Sequence, residues 1–71
     1  MDKTIKTGAA RLKSWRHRNE WRQIDAANAL GLDTATYNRI ERGKLIPGEK
    51  RARQIATGTN GAVPMTAWVR P

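Results

Sequence analysis

Thr34, Ala35, Asn38 and Arg39 are the residues of this chain whose types and spacing could do chemistry together. Positions i, i+1, i+4 and i+5 of a helix share one face. This face would carry a hydroxyl, a methyl-sized surface, an amide and a guanidinium. Such groups suit base edges in a major groove: arginine for guanine, asparagine for adenine, small apolar surface for a thymine methyl. Tyr37 and Ile40, three apart, form the opposite, inward side. Taken alone, each of the four is also an ordinary solvated helix residue, and Arg39 could equally reach a phosphate.

The elements that must position them are two short helices around Gly31. The first reads from Trp21 to Leu30, with Gln23, Ala26, Ala27 and Leu30 along one face. Gly31 ends it, because glycine enters the left-handed region without a Cβ penalty. Ala27 is small enough to let two helices cross closely. Asp33 then suits the N-cap of a second helix, from Thr34 to about Arg42, and Gly43 stops it. Two short helices around a glycine-containing turn predict a helix-turn-helix.

The remaining elements follow the same signals. Met1 to Thr7 reads as a polar arm carrying Lys3 and Lys6, and Gly8 to about Arg18 as a helix whose apolar face begins with Leu12 and Trp15, broken at Asn19. Lys44 to Ile46 reads as a loop anchored by Leu45 and Ile46. Pro47 or Gly48 opens a helix through Thr57 that buries Ala52, Ile55 and Ala56. After the Gly58-Thr59-Asn60-Gly61 turn cluster, Ala62 to Val69 reads as a short helix, with a docking strand as the alternative; Pro64 suits a first helical turn. The fold class expected is all-α, a compact domain of four to five helices. It divides into an arm over 1–7, the helix-turn-helix domain over 8–58 and a C-terminal segment over 59–71.

Composition narrows the partner. Fourteen Lys and Arg against six Asp and Glu leave a formal net charge of +8 on 71 residues, which favours a polyanion. No apolar run approaches the ~20 residues of a membrane span, and no signal-peptide core is visible. Cysteine is absent, which fits a reducing cytoplasm and leaves no disulfide or thiolate site. His17 stands without a carboxylate or cysteine cluster, so no metal is expected. The six acids show no paired-carboxylate spacing, there is no nucleophilic triad, and no glycine-rich phosphate loop opens a βαβ unit. The expectation is a protein that is not an enzyme and takes no cofactor or small-molecule ligand. Trp15 and Trp21 read as core, and without an exposed aromatic series single-strand binding is disfavoured.

The runs Leu12-Lys13-Ser14-Trp15-Arg16, Gln23-Ile24-Asp25-Ala26-Ala27-Asn28-Ala29-Leu30-Gly31-Leu32 and Tyr37-Asn38-Arg39-Ile40-Glu41-Arg42-Gly43-Lys44 resemble the Cro and repressor type of helix-turn-helix proteins, the lambda-repressor-like domains of phages, plasmids and bacteria. The resemblance covers roughly residues 8–58, and the tail from Thr59 to Val63 is a looser match. It implies that Gln23 binds a phosphate and braces the recognition helix, and that Thr34, Ala35 and Asn38 face bases. Arg42 and Lys44 would hold the backbone, and Arg16 would pair with Glu41 in a partly buried salt bridge. Two departures stand out. Arg22 replaces the usual Ser, Thr or Asn N-cap and could itself contact phosphate. Trp15 and Trp21 replace leucines, which implies a repacked core.

These readings imply a repressor in a bacterial cytoplasm that binds double-stranded DNA as a homodimer. The other class is an antitoxin-like or adaptor protein, which would show an apolar stripe on the outer face of the third helix. The C-terminal segment is the expected dimer contact, by exclusion: Val63, Met65, Trp68 and Val69 are apolar area not needed by the first four helices. The alternative is that Trp68 folds back to close the chain's own core.

Overall fold

A Thr7 hydroxyl that accepts from the Ala10 N–H at 3.0 Å caps the first helix. The computed structural model describes residues 7–68, and the expected Lys3 and Lys6 arm and Val69 lie outside them. Four helices follow in order: α1 (Gly8–Arg18), α2 (Gln23–Leu30), α3 (Thr34–Glu41) and α4 (Glu49–Gly58), then a 3-10 turn over Met65–Trp68. The chain is all-helical over the described residues. Among the described residues the C-terminal segment forms one 3-10 turn, Met65–Trp68, in place of the short helix or docking strand expected from Ala62 to Val69.

Every α-helix ends the same way. Just past each C-cap a backbone N–H returns to a carbonyl five residues earlier: Trp21 to Arg16, Leu32 to Ala27, Lys44 to Arg39 and Gly61 to Ala56. The residue before each donor has positive φ: Glu20 (57°), Gly31 (72°), Gly43 (76°) and Asn60 (56°). This Schellman arrangement satisfies carbonyls that a helix end leaves open. Gly31 and Gly43 do what glycine does best. The first helix breaks at Asn19, its C-cap, and Glu20 just beyond it occupies the left-handed region at a steric cost.

The core is built from Leu12 and Trp15 of α1, Ala26, Ala27 and Leu30 of α2, Leu32, Tyr37 and Ile40 around α3, Ile55 of α4, and Val63. Trp21 packs edge-on against Trp15, ring centroids 5.4 Å apart, a favoured aromatic geometry. The tryptophans therefore fill space that smaller apolar side chains would leave open. Gln54 of α4 donates to the Leu30 carbonyl at 2.6 Å and so caps α2 from outside. Ile46 does not anchor its loop: it is 55 % exposed, and the half-buried Leu45 packs on the core instead.

Val63 is wholly buried in the same core, with no surface to offer a second subunit. Its burial leaves no periodic trace in the sequence, because the segment that carries it lies beyond α4 and is not helical there. Trp68 lies over Gly8, where even a Cβ would come within 2.3 Å of its ring. The indole thus closes one end of the chain's own core, the alternative reading of this segment. Of the apolar residues expected at an interface, Met65 remains half-buried and not part of that core.

Candidate nucleic-acid interface

Asp33 opens α3 as the sequence implies. Its carboxylate accepts from the Thr36 N–H at 3.1 Å and from the Thr36 hydroxyl at 2.6 Å. Those hydrogen bonds hold the Asp33 carboxyl below its usual range. With Tyr37 and Ile40 buried, the other side of α3 turns outward: Thr34, Ala35 and Arg39 are exposed and Asn38 is half-buried. All four candidate base-reading residues are thereby brought to one face.

The end of α3 is fixed by Glu41, which is buried. Arg16 reaches it from α1 with both ends of its guanidinium, Nε to Oε2 at 2.8 Å and Nη2 to Oε1 at 2.9 Å. The third nitrogen, Nη1, donates to the Trp21 carbonyl at 2.9 Å. Tyr37 donates its buried hydroxyl to Glu41 Oε2 at 2.7 Å, and Gln23 donates Nε2 to Oε1 at 3.0 Å. Burial pushes the Glu41 carboxyl up, but the hydrogen bonds from Arg16, Gln23 and Tyr37 and the Arg16 charge outweigh it, and the net shift is downward. Glu41 is therefore a carboxylate at neutral pH. Burial, then the bond to Glu41, pushes the Tyr37 hydroxyl up and keeps it protonated.

Gln23 is the link between this buried cluster and the outer face. Its Oε1 accepts from Asn38 Nδ2 at 2.9 Å. The helix that precedes the turn is thus tied twice to the helix that follows it, once at Glu41 and once at Asn38. Gln23 is the first residue of α2, where backbone N–H groups have no intrahelical acceptor and favour an anion.

Arg22, at the N-cap, has no acceptor to offer those groups. Asp25 makes the return half of a capping box instead, accepting from the Arg22 backbone N–H at 3.0 Å. The Asp25 carboxylate also grips the Arg22 guanidinium at 3.0 and 3.1 Å, and these bonds lower its pKa. Arg22 is exposed at the rim beside Gln23, but its charge is shared with Asp25. Arg42 and Lys44 are exposed just past the end of α3, and neither forms an ion pair among the described residues.

Two of these relationships have a local signal in sequence. Tyr37 to Glu41 is an i, i+4 pair, and Arg22 with Asp25 is the N-cap and N3 spacing. Gln23 with Asn38 joins two helices across the turn and has none.

No helix among the described residues is long and apolar enough to cross a membrane. No curated protein and no solved structure matches the chain. A family model described as a helix-turn-helix domain does match it, over residues 9–68, from α1 through the closing 3-10 turn. The chain belongs to the helix-turn-helix domain family, a family of DNA-binding regulators.

Proposed function

We propose that this chain is a sequence-specific, double-stranded DNA-binding repressor of the Cro type, of phage, plasmid or bacterial origin, working in the cytoplasm as a homodimer on an inverted repeat. The observation that carries the reading is the outer face of α3, polar and cationic with no apolar stripe, held from beneath by the Arg16–Glu41–Gln23 cluster. Thr34, Ala35 and Asn38 would meet bases and Arg39 a base or a phosphate. Gln23, Arg22, Arg42 and Lys44 would meet phosphates. Two α3 helices would enter major grooves ~34 Å apart, with phosphate contacts supplying affinity and α3 the choice of sequence. Met65 is the remaining candidate for the dimer contact.

Among the described residues two large apolar side chains are exposed, Ile24 and Ile46, and neither is on α3. The adaptor reading would put them there. A mobility-shift series with random and selected duplexes tests the proposal. With ~6–10 phosphate contacts per dimer, affinity should fall about 10³–10⁵-fold between roughly 50 and 200 mM salt. A flat response overturns it.

A further inference from the structure

We propose that Asn38 is held with its carboxamide oxygen toward the major groove, and so requires a base that offers an exocyclic amine there: adenine N6 or cytosine N4. This rests on the DNA-reading assignment above and adds the polarity of one contact.

The polarity is set two residues away, at Glu41. A carboxylate accepts hydrogen bonds and cannot donate them. Gln23 must therefore turn Nε2 toward Glu41, which it does at 3.0 Å. The two ends of a carboxamide diverge, so Oε1 of Gln23 faces away from Glu41. An oxygen there can only accept, and Asn38 answers with Nδ2 at 2.9 Å. The same divergence leaves Oδ1 of Asn38 on the side away from Gln23, on the face it shares with exposed Thr34, Ala35 and Arg39.

Flipping either amide would break the chain. A reversed Gln23 sets its oxygen against the carboxylate, and a reversed Asn38 sets two amide oxygens together. An untethered asparagine turns over at little cost and reads donors or acceptors alike. A tethered one is held in one sense, because leaving a half-buried acceptor facing another acceptor is unfavourable. In the major groove adenine N6 and cytosine N4 donate, while guanine N7 and O6 and thymine O4 only accept.

Since every base pair shows one amine in the major groove, base selection alone cannot identify the contact, and the test removes single groups from DNA. Sites are first selected from a random duplex pool, and the position that Asn38→Ala relaxes marks the contacted pair. At that pair the amine is deleted, with purine in place of adenine or 2-pyrimidinone in place of cytosine. In separate duplexes the purine N7 is replaced by carbon. Deleting the amine should weaken binding about three- to tenfold, the scale of one hydrogen bond, and removing N7, which only the second Nδ2 hydrogen can reach, should weaken it less. In Gln23→Leu, which untethers the amide, the penalty for the missing amine should shrink. An N7 loss equal to or greater than the amine loss overturns the inference while leaving DNA reading intact. If Asn38→Ala relaxes no position, the assignment of α3 as the reader falls and the inference with it.

Discussion

Arg16 and Glu41, 25 residues apart in the chain, meet in a two-point contact at 2.8 and 2.9 Å with side-chain exposures of 13 % and 4 %. The pair joins α1 to the last residue of α3. Burial of this degree makes removal of one partner far worse than the net worth of the pair, because the other charge is left desolvated. Arg16→Ala is expected to cost about 3–5 kcal/mol, and Glu41→Ala a similar amount. The double variant should lose clearly less than the sum of the two, by thermal or urea melts. Additive losses would mean that the two side chains act independently.

The same carboxylate makes stability depend on acid. Glu41 has its folded pKa depressed below the ordinary 4.5, so its contribution is fully present above that value and is lost as pH falls through the lower folded value. Asp25 and Asp33 shift in the same direction. Melting temperature should be flat near neutrality and fall below about pH 4.5. In Glu41→Gln the acid-dependent part should be smaller on a lower baseline. An unchanged acid slope in that variant would remove Glu41 as its source.

Glu20 sits at φ 57° in the Schellman turn that ends α1. A left-handed residue with a Cβ costs roughly 1–2 kcal/mol, whereas glycine enters that region freely. Glu20→Gly should raise stability by about 0.5–1 kcal/mol after the extra chain entropy of glycine is subtracted. A loss of stability in denaturant melts would show that the Glu20 side chain contributes more than its backbone strain removes.

Gly8 and Trp68 form a coupled contact. Alanine is the better helix former by about 1 kcal/mol, yet a Cβ at Gly8 would fall 2.3 Å from the indole. The clash should win, and Gly8→Ala should destabilise by about 1–3 kcal/mol. In a Trp68→Ala background the same substitution should become neutral or stabilising. If Gly8→Ala is harmless in the wild type, Trp68 is not held against α1.

On DNA, Asn38→Ala and Lys44→Ala should separate reading from holding. The first should cost about 1–3 kcal/mol on the selected site and relax one position of it. The second should weaken all duplexes alike and reduce the salt slope by about 1 per subunit. Like behaviour of the two variants on specific and random DNA would contradict the roles assigned to α3 and to the turn after it.

What the residues alone determine here is local. Gly31 and Gly43 announce helix ends because few other residues enter the left-handed region cheaply. Asp33 announces a helix start because its carboxylate reaches the first free N–H groups. The three- and four-residue spacings of Leu12 with Trp15 and Tyr37 with Ile40 mark buried faces, and Thr34, Ala35, Asn38 and Arg39 fall opposite. The Arg16–Glu41 pair came from likeness to a family, since nothing within 25 residues of separation betrays it. Tertiary structure decided the rest. Glu20 takes a left-handed turn that its residue type disfavours, because Trp21 is held against Trp15 and the Arg16 carbonyl. Val63 and Trp68 go inside, because α1 and α4 leave one end of a thin core uncovered and these two side chains close it. The direction in which Asn38 points its oxygen is decided by a carboxylate on its own helix, relayed through a glutamine from the helix before, and only the packed arrangement of the two brings that relay into being.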